Sequence, residues 1–107
     1  MNRGDIVTIA LPGDFGKPRP ALVIQSDFFD ATATVTVLMM SSTLIAEGHA
    51  RIAVPPTAEN GLRLPTQIMI DKAMTVRRDK VGPVIGRVDT DAMTTVNRSI
   101  ALFFGLV

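Results

Sequence analysis

The sequence predicts a small, mainly β domain that ends in one helix, folded as a strongly bent SH3-like barrel. Apolar and β-branched residues recur in several short runs, each bounded by glycine, proline or polar residues, which is typical of strands. Near the C-terminus the apolar spacing changes to three and four residues, which is typical of a helix packed on a sheet. With 107 residues, of which 47% are hydrophobic, we expect a single domain over residues 1–107 with one core.

Three strands are predicted in the first half of the chain, over residues 5–11, 21–25 and 34–40. In the first, alternation places Val7, Ile9 and Leu11 on one face. The second is a continuous apolar run, as expected for a strand that is buried on both faces. In the third, one face carries Val35, Val37 and Met39. The opposite face carries Thr36, Leu38 and Met40. We expect Phe28 and Phe29, which lie in the connection before it, to cover an edge of the core.

The second half predicts further strands and the helix. Residues 51–54 form an edge strand that Pro55 ends, and residues 67–73 form a strand with Ile68 and Ile70 toward the core. Shorter extended pieces follow at residues 75–76 and 84–88. The helix is expected to begin after Asp89, a good N-cap, and to end near Gly105. Its apolar stripe is Met93, Val96, Ile100 and Phe103.

Composition limits the classes of function. The net charge is only +1, but residues 71–87 contain five basic side chains and two acidic ones, a patch that either faces phosphates or is simply solvated. Cysteine is absent and His49 is the single histidine, so we predict no metal and no cofactor. The N-terminus has no apolar signal segment and no apolar run reaches membrane-spanning length. We therefore expect a cytoplasmic protein that does not bind membranes.

Residues 16–26 contain the most informative motif, in which Arg19 lies between Pro18 and Pro20 before the second strand. Proline fixes its own φ and pushes the preceding residue into an extended conformation, so the arginine has little backbone freedom. From position alone, Arg19 is either a rigidly placed functional cation or a turn arginine with a surface partner.

A set of motifs, in order along essentially the whole chain, resembles the MazF/PemK toxins. The motifs are Gly-Asp-Ile-Val at 4–7, Arg-Pro-Ala-Leu-Val-Ile at 19–24, the strand ending at 37–42, Ile-Asp at 70–71 with Thr75, and Gly-Arg-Val-Asp at 86–89. The resemblance implies a CcdB/MazF-type barrel, a homodimer, and the toxin of a type II toxin–antitoxin system. It implies a metal-independent endoribonuclease that cleaves single-stranded RNA and mRNA. It also implies a cognate antitoxin whose C-terminal segment blocks the RNA groove.

The resemblance also implies roles for particular residues. The catalytic arginine of the family falls on Arg19, and its catalytic threonine falls on Ser41, with Thr43 on the same side of an extended chain. The serine is a departure from the family pattern, and Met74 stands where the family usually has a basic residue. We expect RNA to contact Phe15, Lys17, Ser42, Asp71, Lys72, Thr75 and Arg77.

Metal-free cleavage requires charge and hydrogen bonds at the phosphate, which an arginine supplies in a bidentate way. Asp71 either accepts hydrogen bonds from base edges or pairs with Lys72 or Arg19. His49 is either catalytic or a solvated loop residue. Two other functions are compatible with the predicted fold. One is a CcdB-like poison of DNA gyrase. The apolar C-terminal tail suggests this alternative, although the tail lacks the tryptophan of that family. The other is an RNA-binding barrel without catalytic activity.

Overall fold

The computed structural model describes residues 1–13, 16–46, 48 and 50–107. The strands are β1 (Asp5–Ala10), β2 (Pro18–Val23), β3 (Thr34–Ser41), β4 (Arg51–Val54), β5 (Thr66–Arg77) and β6 (Val81–Arg87), and the helix is α1 (Thr90–Phe103). Two 3₁₀ turns, Asp27–Phe29 and Arg78–Lys80, connect strands. Within the described part of the chain, no helix is both long and apolar enough to span a membrane.

All six strands form one antiparallel sheet in the order β4-β5-β3-β2-β1-β6. The prediction of a mainly β fold with a C-terminal helix is confirmed. The sheet is not closed into the predicted barrel, because its edge strands β4 and β6 do not pair with each other. The prediction that residues 51–54 form an edge strand is also correct.

The loop between β4 and β5 bridges the two edges of the sheet. The N–H of Arg87 in β6 donates to the carbonyl oxygen of Glu59 in this loop, at 2.9 Å. The backbones can approach so closely because residue 86 is glycine; a Cβ there would collide with the carbonyl group of Asn60. The β4–β5 loop, and not a ladder of hydrogen bonds between β4 and β6, therefore connects the two edges of the sheet.

A buried asparagine holds this loop in shape. Asn60 is 3% exposed, and its Oδ1 accepts the N–H groups of Thr57 and Leu62, each at 3.0 Å. Its Nδ2 donates to the carbonyl oxygen of Pro55 at 2.9 Å. Because one side chain satisfies three backbone groups, the loop can pack against β6 without leaving buried polar atoms unpaired.

The alternation predicted for β3 is confirmed, and it separates two hydrophobic clusters instead of the single core we expected. Val35, Val37 and Met39 belong to one cluster, and Leu38 and Met40 to the other. Residues of α1 cover the second cluster, while parts of β5 and β6 pack on the first. Two clusters form because the central strands are buried on both faces.

The structure differs from the prediction where β2 begins. The strand starts at Pro18, so Arg19 lies within a strand and not in a loop before it. Two prolines are tolerated because residues 18–20 pair with β1 alone, and pairing with β3 begins at Ala21. Proline lacks an N–H donor and is therefore suited to a stretch that has a partner on one side.

The prediction that Phe28 and Phe29 cover the core is wrong. They are 84% and 53% exposed and contact each other edge to face, with ring centroids 5.1 Å apart. Polar contacts fasten their 3₁₀ turn to the sheet. The Gln25 amide donates to the carbonyl oxygen of Phe29 at 2.8 Å and accepts the N–H of Thr36 at 3.0 Å. This arrangement leaves both rings on the surface.

The helix begins as predicted, since the Asp89 side chain accepts the N–H of Ala92 at 2.7 Å. Val96 is buried, and Met93 and Ile100 pack beside it. Phe103 departs from the predicted stripe: it is 52% exposed and contacts Phe104 edge to face in place of the core. Gly105 follows with a φ of +73°, the left-handed conformation expected just after a helix.

Candidate active site

The site is built around a bulge in β5. Residues 67–73 and 75–76, predicted as two pieces, belong to one strand. Its pairing with β3 shifts, because Leu38 lies opposite Ala73 whereas Met40 lies opposite Ile68. The four residues 69–72 therefore face the single residue Met39. A bulge of this kind bends the strand and redirects its side chains, and bulges are frequent beside active sites.

A cleft of about 530 Å³ lies at this bend. Its lining comes from the residue after β1, the start of β2, the end of β3, the turn after β3 and β5. They are Leu11, Arg19, Met39, Met40, Ser41, Thr43, Met69, Asp71, Lys72, Ala73 and Met74. The structure thus brings five of the predicted site residues together, although they are far apart in the sequence.

Arg19 enters the cleft from β2. Its backbone lies opposite Ile9 in the β1–β2 ladder, and the flanking Pro18 and Pro20 restrict the backbone further. The residue is exposed. A planar guanidinium placed in this way can donate two parallel hydrogen bonds to a phosphate that enters the cleft.

Two hydroxyl groups enter the cleft at the end of β3. Ser41 is the last residue of the strand, and its Oγ accepts the N–H of Thr43 at 3.1 Å. This bond uses one lone pair of the serine oxygen, so the hydroxyl can still donate. Both Ser41 and Thr43 line the cleft, and either can hydrogen-bond a phosphate oxygen there.

Asp71 and Lys72 form the β5 side of the cleft. Lys72 Nζ lies 4.0 Å from Asp71 Oδ2, and the two side chains are 58% and 37% exposed. An exposed pair at this distance contributes little stability, so the carboxylate can exchange its partner for a polar ligand. Of the options for Asp71, pairing with Lys72 and accepting from a base edge are both compatible with this geometry.

The other predicted RNA contacts that the structure describes lie outside the lining of this cleft. Lys17 and Ser42 are exposed beside it, and the Oγ1 of Thr75 lies 3.2 Å from that of Thr36. Arg77 bonds to Asp79 at 2.6 Å and lines a neighbouring cleft of about 620 Å³. Leu11 lines both clefts.

Phe15 and His49, the predicted stacking residue and the possible catalytic histidine, lie outside the described residues. Among the residues that the structure does describe, no cluster of three His, Asp or Glu side chains could hold a metal ion. Sequence reasoning missed the apolar side of the cleft, formed by Leu11, Met39 and Met69. One signal was present, since Met69 shares a strand face with Asp71.

Comparisons with known proteins agree with this architecture. The family model for the PemK-like, MazF-like toxin of type II toxin–antitoxin systems matches residues 2–104. The probable endoribonuclease MazF of Mycolicibacterium smegmatis is 41% identical over 107 residues, which is 99% of this chain and 98% of the relative.

Solved structures show the same fold. A mycobacterial endoribonuclease in complex with its cognate antitoxin has a TM-score of 0.85 at 21% identity, covering 100% of this chain and 97% of that one. The MazE–MazF structure from Deinococcus radiodurans has a TM-score of 0.78 at 14% identity, covering 100% and 98%. By its match to the family model over nearly its full length, the chain belongs to the PemK-like, MazF-like toxins of type II toxin–antitoxin systems.

Proposed function

We propose that this protein is the toxin of a type II toxin–antitoxin pair and acts in the cytoplasm as an endoribonuclease. It cleaves single-stranded RNA, including mRNA, without a metal ion and thereby inhibits translation and growth. The observation that carries the proposal is the meeting of Arg19, Ser41 and Thr43 around one cleft. Membership of the MazF-like family and a curated relative named as a probable endoribonuclease support the same activity.

The reaction uses the RNA's own 2′-hydroxyl as nucleophile. Its oxygen bonds to the adjacent phosphorus and loses its proton, while the bond from phosphorus to the 5′-oxygen breaks and that oxygen gains a proton. Negative charge on the phosphoryl oxygens increases in the transition state. Arg19 donates hydrogen bonds to these oxygens, and a hydroxyl of Ser41 or Thr43 orients the phosphate.

The remaining cleft residues bind the nucleotides beside the reacting phosphate. Lys72 neutralises a flanking phosphate, and Asp71 accepts hydrogen bonds from a base edge once its weak pairing with Lys72 is broken. Met74, in place of a basic residue, gives the base an apolar surface. Phe15, Lys17, Ser42, Thr75 and Arg77 make further contacts along the bound RNA.

The partners are a cognate antitoxin and a second copy of the chain. One structural neighbour was solved with its cognate antitoxin and another with MazE. For this chain we propose that the C-terminal segment of its antitoxin covers the RNA cleft. Homodimer formation is supported by exposed apolar residues at the C-terminus, among them Leu102, Phe104 and Leu106.

The test is to incubate the purified protein with a long RNA in EDTA and to map the cut ends. We expect cleavage at defined short sequences, with 5′-hydroxyl and 2′,3′-cyclic or 3′-phosphate ends. Loss of activity in EDTA that magnesium restores would contradict the metal-free mechanism. RNA binding without cleavage would instead favour the alternative of an RNA-binding protein without catalytic activity. A parallel gyrase-cleavage assay tests the CcdB-like alternative.

A further inference from the structure

The turn that carries the two hydroxyl groups of the cleft is attached to the sheet by a glutamine. Gln67 is the second residue of β5 and lies directly opposite Ser41 in the β3–β5 ladder. It shares a strand face with Met69 and Asp71, two residues that line the cleft. Its half-buried side chain therefore lies at the end of the cleft where the chain leaves β3.

The amide of Gln67 makes two hydrogen bonds to one backbone residue. Its Oε1 accepts the N–H of Ile45 at 3.1 Å, and its Nε2 donates to the carbonyl oxygen of Ile45 at 2.8 Å. The side chain thus does for Ile45 what a neighbouring strand does for a paired residue. Arg51 Nη1 lies 3.5 Å from the same Oε1 and also favours this orientation of the amide.

The turn is fixed at both ends. At its start, Ser41 Oγ accepts the N–H of Thr43, and at its end Gln67 holds Ile45. Residues 42–46 are exposed and outside regular secondary structure, so packing contributes little to their conformation. Hydrogen bonds from side chains therefore control where Thr43 lies and which way the Ser41 hydroxyl points.

We propose that Gln67 is a positioning residue for RNA cleavage: its side-chain amide closes the turn from Ser41 to Ile45 and holds the cleft hydroxyls in reach of the phosphate. The proposal rests on the proposed endoribonuclease function. Gln67 itself touches neither the reacting atoms nor a nucleobase of the RNA. Its effect is on the geometry of the catalytic hydroxyl, to which reaction rates are sensitive at the scale of an ångström.

The substitution Gln67→Met tests this role, since methionine is similar in length and shape but forms neither bond to Ile45. We expect kcat for a short RNA with one cleavage site to fall by about tenfold to a hundredfold, with KM changed less than about twofold. Gln67→Glu keeps the acceptor for the Ile45 N–H but places a carboxylate oxygen against the Ile45 carbonyl group. For this variant too, we expect kcat to fall and KM to change little.

The chain offers a matched control in Gln25. Its amide also holds a loop by hydrogen bonds to backbone groups, those of Phe29 and Thr36, at the opposite end of β3 from Ser41. Gln25→Met removes bonds of the same kind and should lower thermal stability at least as much as Gln67→Met. Its kcat should stay within about twofold of the wild type, because the cleft turn is untouched.

A second measurement needs no RNA. Amide hydrogen exchange at Ile45 should speed up in Gln67→Met and remain unchanged in Gln25→Met. If the wild type cuts RNA and folded Gln67→Met and Gln67→Glu have normal kcat, the positioning role is refuted while the endoribonuclease function stands. A wild type that does not cut RNA refutes both. Unchanged exchange at Ile45 in Gln67→Met would show that the amide does not hold the turn.

Discussion

Replacing Arg19 with alanine removes the guanidinium group from the cleft and leaves the strand that carries it. The residue is exposed, and its backbone lies in the β1–β2 ladder opposite Ile9. The flanking prolines keep restricting the chain in the variant. We therefore expect a change in free energy of unfolding of no more than about 1 kcal/mol, because the contacts of an exposed charged side chain contribute little.

The effect on catalysis should be far larger. A well-placed donor to a developing oxyanion contributes about 3–4 kcal/mol to transition-state stabilisation, or roughly a hundredfold to a thousandfold in rate. Arg19 lies in a cleft with apolar surface from Leu11, Met39 and Met74, where an electrostatic contact is stronger than in open water. Arg19→Lys should recover little of this, because an ammonium group cannot reproduce the planar fork.

The assay is single-turnover cleavage of a labelled RNA, together with circular dichroism to establish folding. Arg98→Ala serves as the control, since it removes one positive charge from an exposed helical position away from the cleft and alanine favours the helix. If the loss of one positive charge only weakened the electrostatic attraction of RNA, Arg19→Ala and Arg98→Ala would lower the cleavage rate equally. If Arg19→Ala is folded and cuts RNA at the wild-type rate, the assigned site is wrong and the binding-only alternative becomes the better explanation.

Three further predictions concern the hydroxyls, the loop and the assembly. Of Ser41→Ala and Thr43→Ala, only one should approach the Arg19→Ala defect in the cleavage assay, and the family motif favours Ser41; normal rates for both would exclude a catalytic hydroxyl here. Asn60→Ala removes three hydrogen bonds of a buried side chain, so it should cost about 2–3 kcal/mol and lower Tm by roughly 10–20 °C at fixed protein concentration, whereas a change of a degree or two would refute the loop's importance. Light scattering at micromolar concentration should give twice the 11.5 kDa chain mass, and a monomer would contradict the homodimer.

Local patterns predicted most of the secondary structure. The faces of β3, the edge position of β4 and the N-cap at Asp89 all follow from the side chains of neighbouring residues. These features depend on periodicity and capping, which act over a few residues and are therefore visible in the sequence. The motif around Arg19 similarly indicated a restrained arginine, because the effect of proline on the backbone is local.

Other features were decided by contacts between distant parts of the chain. The sequence predicts two pieces, 67–73 and 75–76, whereas pairing with β3 joins them into one strand whose bulge changes the alternation of faces. The exposure of Phe28 depends on the polar bonds that fasten its turn to the sheet. Gln67 gave no sequence signal at all, because its partner Ile45 approaches it only after β3 and β5 pair.

The sequence by itself determined which chemical groups the protein has and which strands and helix it forms. Only the tertiary structure brought Arg19, Ser41 and Asp71 around one cleft, because their separation depends on the bend in β5 and on strand order. Side-chain periodicity specifies the face on which a residue lies, but it contains no information about distances between strands. Those distances arise from the register and bulge of the folded sheet.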